Sequence, residues 1–228
     1  MELRGRTFVI TGGTGALGSA VVRRLAEDGA TCHVTWVSER EREAFTVAGD
    51  VHLHRADLMD ESAVDALYAG LDPLWGSIHI AGGFTMAPVA ETTVDRFTFM
   101  WRLNALTAFL CSRAAVRCMQ RTGEGGRIVQ VAARQVLQPA GGAVAYAMSK
   151  ASVATLTQCL AEEVKQDDIL VNAVVPSIMD TPANRSAMPD ADHTRWPTVD
   201  EVAHTIVGLA HPTNRVTSGA LVPVFGRA

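Results

Sequence analysis

The 228-residue chain is 48% hydrophobic and 19% charged, which excludes a disordered or fibrous protein and suits one α/β domain spanning residues 1–228. Its formal net charge of −4, without any basic run, argues against nucleic acid or an anionic membrane surface as a partner. Charges or glycines interrupt every apolar stretch before it reaches the roughly eighteen residues needed to span a bilayer, so no membrane partner is expected.

Short apolar runs alternate with longer amphipathic stretches along the chain. The runs have the length and composition of buried strands, and the stretches have the apolar spacing of helices. Strands are predicted over residues 7–11, 31–37, 52–55, 78–81, 127–131, 170–175 and 220–224, and helices over 16–28, 61–71, 94–120 and 145–165. Such alternation predicts an α/β fold with a doubly wound, mainly parallel sheet and helices on both faces.

The first predicted strand ends in a glycine-rich turn that leads straight into a helix. This segment, residues 11–18, contains Gly12, Thr14, Gly15, Ala16, Leu17 and Gly18. Glycines allow the backbone to turn tightly and to approach a pyrophosphate, whose charge is then held by amide groups at the helix N-terminus. The segment therefore predicts a dinucleotide site, although a glycine turn alone also occurs without a ligand.

The end of the second predicted strand bears on which dinucleotide binds. A carboxylate there would hydrogen-bond the adenosine ribose of NAD, but this chain has Trp36. Without that charge a 2′-phosphate is not repelled, and Ser38, Arg40 or Arg42 could bind it. The sequence thus favours NADP(H) over NAD(H). Glu39 could still serve NAD, and the arginines could equally form the solvated first turn of a helix.

Two further segments follow predicted strands at the ligand-binding edge of the sheet. Asp57 and Leu58 follow the third strand, where Asp57 could accept a hydrogen bond from the adenine amine. Ala81, Gly82 and Gly83 follow the fourth strand, where small residues leave room for adenosine against the backbone. Either segment alone would be taken for an ordinary turn.

Tyr146 and Lys150 lie four residues apart on one predicted helix, so both side chains project to the same side. A nearby ammonium stabilises a phenolate and lowers the tyrosine pKa, which lets the phenol exchange a proton with a substrate near neutral pH. The pair therefore predicts general acid/base catalysis, whereas an exposed helix face is the plainer interpretation.

Together these segments resemble, in order and spacing, the short-chain dehydrogenase/reductase family over essentially the whole chain. The resemblance implies a Rossmann-like fold, a small-molecule substrate and hydride transfer with a nicotinamide cofactor. It implies that Tyr146 is the general acid/base, that Lys150 is its electrostatic and ribose-binding partner, and that Asn104 supports a proton-relay water. It also implies that Thr181, five residues beyond Pro176 in the cofactor site, contacts the nicotinamide carboxamide. A homodimer or homotetramer that pairs through the helices carrying Asn104 and Tyr146 is expected.

One departure from the family pattern bears directly on catalysis. The family's catalytic serine falls thirteen residues before Tyr146, where this chain has Ala133. That serine normally hydrogen-bonds the reacting carbonyl oxygen, and the loss of one such donor costs about 2.7 to 4 kcal/mol. Three explanations are open: the substrate needs no such donor, Arg134 or Gln135 supplies it, or the chain is a cofactor-binding sensor or partner protein with little turnover. Smaller departures fall at Ala16, His79, Ile80 and Ser177.

Several local stretches are similar to the dihydropteridine reductase branch of the family, which reduces a quinonoid pterin and also has alanine at the serine position. The similar stretches are residues 15–19, 81–84, 100–101 and 180–196. That branch's ribose-binding aspartate is absent at Trp36, and Asn104 is present here although the branch lacks it. We therefore expect a reductase of a small conjugated carbonyl or imine-like substrate, which includes pterins. A conventional keto-reductase or alcohol dehydrogenase is the alternative.

The substrate pocket is expected to be lined by Phe84, Met86, Ala133, Arg134 and Gln135 beside Tyr146. Residues 180–196, rich in Pro, Asn, Asp and Met, follow a strand's carboxyl end, where open α/β sheets bind ligands. This 180–196 loop is either a flap that closes over the substrate or an ordinary surface loop.

Four scattered cysteines without CxxC spacing, and no visible signal peptide, indicate free thiols and a cytoplasmic location. His52 and His54 share one strand face, but the sequence shows no third ligand beside them. No metal is expected.

Overall fold

In a computed structural model, which describes residues 3–71 and 73–228, seven strands form one sheet. The strands are β1 (Thr7–Thr11), β2 (Thr31–Trp36), β3 (Val51–Arg55), β4 (Leu74–His79), β5 (Gly126–Val131), β6 (Ile169–Pro176) and β7 (Leu221–Val224). Their order across the sheet is β3-β2-β1-β4-β5-β6-β7, with parallel neighbours throughout. Strand order reverses between β1 and β4, which is where a doubly wound sheet forms its ligand crevice.

Eight helices connect and cover these strands in the described part of the chain. They are α1 (Ala16–Glu27), α2 (Glu39–Ala44), α3 (Glu61–Tyr68), α4 (Val94–Trp101), α5 (Thr107–Thr122), α6 (Val144–Glu163), α7 (Pro182–Ala187) and α8 (Val199–Ala210). Helices α1 and α8 pack on one face of the sheet, and α3, α5 and α6 pack on the other. The predicted doubly wound α/β fold is therefore confirmed.

Burial on both faces explains why the strands read as nearly continuous apolar runs. Successive side chains of a strand point to opposite faces. Phe8 and Ile10 accordingly join the core under α1 and α8, whereas Val9 between them joins the core under α3, α5 and α6. Strand β6 has the same character, with Ile169 and Val171 on the second face.

The structure changes two predicted elements and adds two helices, α7 and α8, that were not predicted. Strand β4 begins at Leu74 and ends at His79, rather than spanning residues 78–81. Beyond the strand, the N–H of Ile80 is shared between Thr11 O, at 3.3 Å, and Thr11 Oγ1, at 3.1 Å, and the N–H of Ala81 donates to Thr11 Oγ1 at 3.2 Å. The helix predicted over residues 94–120 is interrupted by a π-helical turn, Arg102–Leu106. Helix α8 was missed altogether.

The 180–196 loop contains α7 and a short 3-10 turn, His193–Arg195. Arg185 donates to both carboxylate oxygens of Asp180, at 2.5 and 2.7 Å, and Trp196 is buried at the end of the loop. Whether the loop moves over a substrate stays a prediction.

Two expectations about surface and chemistry can be compared with the structure. The four cysteines are free, and Cys32, Cys111 and Cys118 are buried. Within residues 3–71 and 73–228, none of the helices has both the length and the apolar character required to cross a membrane.

Candidate active site

The glycine-rich turn joins β1 to α1 at the carboxyl edge of the sheet. Gly12 has φ of +64°, and a Cβ on it would lie 3.0 Å from the backbone of Ala81. Gly18 has no room for a side chain either, because a Cβ there would collide with the carbonyl oxygen of Gly12. The N–H of Gly12 donates to Thr35 Oγ1 at 3.1 Å, which fixes the turn to β2. The turn is therefore held close to the Ala81 segment.

The start of α1 fits the pyrophosphate of a dinucleotide. Gly15 is the N-cap residue and offers no side-chain acceptor, and the first turn contains no acidic residue. The first amide groups of the helix therefore need an external acceptor, and no carboxylate in that turn offsets the positive end of the helix dipole. Thr14, Leu17 and Gly18 are buried beneath the turn, while Ala16 is exposed at its surface. An anion is the ligand that such a helix start accepts.

Trp36 ends β2, one strand beyond the glycine turn, and two arginines lie against its ring. The guanidinium carbon of Arg42 is 5.8 Å from the ring centroid, and that of Arg55 is 5.7 Å away. Ser38 Oγ accepts the N–H of Glu41 and caps α2, a helix with no buried residue. The solvated helix foreseen for this segment is therefore present. Arg40 is exposed on it.

Asp57 and Leu58 follow β3, two strands from the turn. Asp57 is exposed and its Oδ1 accepts the N–H of Met59 at 2.9 Å, whereas Leu58 is buried in the core. The second carboxylate oxygen of Asp57 is the one that could meet an adenine amine.

Asn104 occupies the π-helical turn between α4 and α5 and is 1% exposed. Its Oδ1 accepts the N–H of Gly83 at 3.0 Å, and its Nδ2 donates to the carbonyl oxygen of Gly83 at 3.0 Å. Its Nδ2 also donates to Ser149 Oγ at 3.0 Å and to Met100 O at 3.3 Å. Single π-helical turns often mark functional positions. Here the turn places the buried side-chain amide of Asn104 against Gly83, in the segment that follows β4.

Tyr146 and Lys150 lie in the first two turns of α6, facing the end of β5. Lys150 is buried, and its Nζ donates to the carbonyl oxygen of Val131 at 2.7 Å. A Cβ on Gly82 would lie 2.5 Å from Asn104 Oδ1 and 3.3 Å from Lys150 Nζ. The Tyr146 ring meets the edge of Phe84, with ring centroids 4.8 Å apart at 85°. These residues form one continuous cluster.

The protonation equilibria of the pair differ from the sequence expectation of a lowered tyrosine pKa. Burial raises the pKa of Tyr146 to about 12 and lowers the pKa of Lys150 to about 8. Desolvation disfavours whichever form carries charge, so it shifts a phenol and an amine in opposite directions. In this state the Lys150 ammonium is directed to Val131 O, and burial dominates at Tyr146.

The position of the family's serine lies just beyond β5. Ala133 is buried and extended there, and contributes only a methyl group. Arg134 is engaged elsewhere, since its Nε donates to Gln138 Oε1 at 2.7 Å and its guanidinium lies 5.2 Å from the Phe225 ring. Gln135 is half-buried, and within the described chain its side chain makes no hydrogen bond.

The remaining predicted residues lie beside the start of α6 and beyond the carboxyl end of β6. Met86 is exposed and lies beside the start of α6. Its neighbour Ala87 pairs with Ala143, and a Cβ on Gly142 would lie 3.4 Å from Met86 Cε. Pro176 ends β6, and the buried Thr181 caps α7 by accepting the N–H of Asn184 at 3.1 Å.

Sequence reasoning did not single out Ser149 or Arg55. A serine next to Lys150 was visible, but its role depends on a contact with Asn104, 45 residues away. Arg55 lies beside Trp36 only because β2 and β3 pair in the register Trp36↔Arg55.

An α/β oxidoreductase is the class of protein that this fold and site define. The family model described as short chain dehydrogenase matches residues 6–192, and the chain belongs to that family. It is 31% identical over 222 residues to 2,5-dichloro-2,5-cyclohexadiene-1,4-diol dehydrogenase of Sphingobium indicum, covering 92% of this chain and 86% of that protein. It is 28% identical to sorbitol dehydrogenase of Cereibacter sphaeroides, covering 100% of this chain and 86% of that enzyme. The crystal structure of acetoin dehydrogenase from Enterobacter cloacae matches with a TM-score of 0.86 and 30% identity, over 97% of this chain and 94% of that one.

Proposed function

We propose that this chain is an NAD(P)(H)-dependent reductase of a small conjugated carbonyl or imine-like substrate, with Tyr146 as the proton donor. The observation that carries the proposal is the cluster in which Gly82 lies against both Asn104 and Lys150, one helical turn from Tyr146. The cluster adjoins the glycine turn through the contact of Gly12 with Ala81. A proton donor beside a dinucleotide site is the arrangement that such a reduction needs.

A bound nicotinamide supplies the hydride, and the chain's own residues handle the proton and the orientation. Because burial raises the pKa of Tyr146 to about 12, its hydroxyl keeps the proton at neutral pH and can donate it to a substrate heteroatom. Lys150, with its pKa lowered to about 8, retains a proton near neutral pH and binds the ribose side of the cofactor. Asn104 holds the Gly83 backbone and supports the water that resupplies the proton.

The cofactor segments have complementary roles in this proposal. Amide groups at the start of α1, including those of Ala16, Leu17 and Gly18, would bind the pyrophosphate, and Asp57 with Leu58 would border the adenine. Pro176 and Thr181 would border the nicotinamide, and the Thr181 hydroxyl would be the group that binds its carboxamide.

The substrate side of the site supports an acceptor that does not depend on a serine hydroxyl. Ala133 offers no donor, and Arg134 is held by Gln138. Phe84, 58% exposed beside Tyr146, and the exposed Met86 present apolar surface to a planar ring. A quinonoid pterin or a conjugated cyclic ketone has the shape and electron demand that suit this surface.

The named relatives support a second candidate. Sorbitol and a chlorinated cyclohexadiene diol are the alcohols in the names of two similar dehydrogenases. For oxidation of such an alcohol, or reduction of the corresponding carbonyl, Gln135 is a side chain near Ala133 without a hydrogen bond in the described chain, and it could donate one. This candidate differs from the first in requiring that donor.

For the cofactor we propose a preference for NADP(H). Arg42 and Arg55 flank Trp36 where a ribose 2′-phosphate would enter, and neither forms a described ion pair. An arginine hydrogen bond to phosphate contributes about 1.5 to 3 kcal/mol, so Arg55→Ala should raise the Kd for NADPH at least about tenfold. The Kd for NADH should stay within about twofold. Equal weakening of both cofactors would contradict a phosphate site at Trp36.

The decisive experiment is steady-state turnover with a panel of acceptors. NADPH and NADH oxidation would be followed with quinonoid dihydropterin, diketones and cyclic ketones, and the reverse reaction with cyclic alcohols. We expect the highest kcat/KM with a conjugated acceptor. A preference for saturated ketones and alcohols, lost in Gln135→Ala but kept in Gln166→Ala, which changes an exposed glutamine, would favour the second candidate. Tight cofactor binding without turnover on any acceptor would identify a cofactor-binding sensor instead.

We also propose that the chain pairs as a homodimer or homotetramer through the helices carrying Asn104 and Tyr146. Exposed apolar side chains on α4 and α5 support this, among them Phe99, Trp101 and Phe109. Sedimentation equilibrium should give two or four times the 24.3 kDa chain mass. Phe99→Asp should lower that mass, and a single-chain mass for the wild type would contradict the proposal.

A further inference from the structure

We propose that Ser149 is a positioning residue, whose buried hydroxyl ties the helix of Tyr146 and Lys150 to Asn104 and thereby to the Gly83 backbone. The proposal rests on the function proposed above, because it assigns Ser149 to the alignment of that site. Ser149 does not face the substrate side, and acts only through these neighbours.

The hydroxyl of Ser149 has two partners, one on its own helix and one outside it. It donates to the carbonyl oxygen of Tyr146 at 2.7 Å and accepts a hydrogen bond from Asn104 Nδ2 at 3.0 Å. The side chain is 0% exposed. Thr157, also 0% exposed on α6, shows the ordinary alternative, since its hydroxyl bonds only to Val153 O, at 2.9 Å on the same helix. Only the contact with Asn104 makes Ser149 a link between elements.

Asn104 extends this link to the segment after β4. Its amide group exchanges two hydrogen bonds with Gly83, so the orientation of that backbone follows the orientation of the amide. Gly82 fits against both Asn104 Oδ1 and Lys150 Nζ with no space for a Cβ. A movement of Asn104 relative to α6 would therefore change the gap in which Lys150 and the Gly82 backbone meet.

Removal of the Ser149 hydroxyl should loosen this link without leaving a buried donor unpaired. Asn104 Nδ2 has two hydrogens and three nearby acceptors: Ser149 Oγ, Gly83 O and Met100 O. Without Ser149 Oγ the amide keeps the other two acceptors, so the cost of an unsatisfied buried group does not arise. We therefore expect Ser149→Ala to disturb the alignment of the site more than it lowers the free energy of unfolding.

Hydrogen exchange of the unliganded protein tests the link without any substrate. Within residues 82–84 the Gly83 N–H is the amide that donates to Asn104 Oδ1, and in Ser149→Ala we expect it to exchange about tenfold faster, as a loss of about 1.4 kcal/mol implies. Thr157→Val, which removes a buried hydroxyl of the same helix, should leave residues 82–84 unchanged. Ser152→Ala, which removes an exposed hydroxyl bonded to Met148 O, is the surface control. Unchanged exchange at residues 82–84 in Ser149→Ala would overturn the proposal.

Kinetics with the best acceptor of the panel test the positioning role. We expect Ser149→Ala to lower kcat about tenfold, with the acceptor KM within about twofold of wild type, as misalignment worth about 1.4 kcal/mol predicts. Water that reaches the site would reduce the effect of burial on both residues. Because Lys150 has the lower pKa, about 8, the alkaline fall of kcat follows Lys150 and should move to higher pH. The double variant Ser149→Ala/Asn104→Ala should be no slower than Asn104→Ala alone.

A kcat and pH profile equal to those of Thr157→Val would overturn the positioning role, even if exchange had increased. If Ser149→Ala does not fold, Ser149→Cys, which keeps the volume and a weak acceptor, replaces it in both measurements. An inactive wild type would contradict the proposed function, and with it the positioning role. The hydrogen-exchange result would still show separately whether the link itself exists.

Discussion

His79 should make the protein sensitive to mild acid. The ring ends β4 inside the core, 4% exposed, with Ser77 Oγ at 2.8 Å and Ser112 Oγ at 3.5 Å from its two nitrogens. Burial lowers the pKa of His79 from the usual 6.5 to about 4. Between those pH values the unfolded chain binds a proton at His79 that the folded chain does not bind. The contribution of neutral His79 to the free energy of unfolding is therefore fully present above pH 6.5 and is lost as the pH falls toward 4.

The expected loss follows from the pKa difference. At pH 4.5 the free energy of unfolding should be about 2.5 kcal/mol lower than at pH 7 because of His79, taking about 1.36 kcal/mol per pKa unit for a fully buried group. Urea unfolding followed by circular dichroism at pH 7 and pH 4.5 measures it. Wild type should lose about 2.5 kcal/mol more than His79→Gln between the two pH values. His204→Gln, which changes an exposed histidine of α8, is the matched control. An equal loss in wild type and His79→Gln would refute the reasoning.

Three further predictions concern the site and the fold. Gly82→Ala should lower kcat/KM at least about tenfold, because the added Cβ would push Asn104 away. Gly141→Ala adds its Cβ to open space and should leave kcat/KM unchanged. Equal kinetics in the two variants would contradict the close packing at Gly82. Ala133→Ser should raise kcat/KM for a cyclic ketone by about a hundredfold if a carbonyl oxygen lies beside it, and an unchanged rate would show that it does not. Thr198→Ala removes the cap of α8 and should lower the free energy of unfolding by about 1 kcal/mol in urea titrations, with unchanged kinetics; full stability would contradict the capping role.

Much of the fold could be predicted because local and global signals agree. Strands such as β1 are buried on both faces and therefore read as apolar runs, and the glycine turn before α1 marks its start. Helix α8 carried comparable signals: Thr198 and Glu201 form a capping box, and Val202, Ala203 and Ile206 are spaced for one buried face. These signals follow directly on the irregular 180–196 loop, which obscures where the helix begins.

The site was predictable only in part, because its side chains meet through tertiary contacts. Tyr146 and Lys150 share a helix, so their proximity follows from spacing alone. The link from Ser149 to Asn104 and the approach of Arg55 to Trp36 depend on helix packing and strand register, which no local pattern encodes. The pKa of Tyr146 was expected to fall but is raised to about 12, since burial depends on neighbours such as Phe84.

The central claim, that the Tyr146 hydroxyl delivers a proton beside a bound dinucleotide, is tested most directly by Tyr146→Phe. This variant keeps the ring against Phe84 and removes only the hydroxyl. With the best acceptor of the panel, kcat should fall by about 10² to 10⁴, while the Kd for NADPH from fluorescence titration stays within about twofold of wild type. A Tyr146→Phe variant that keeps the wild-type kcat would contradict the account.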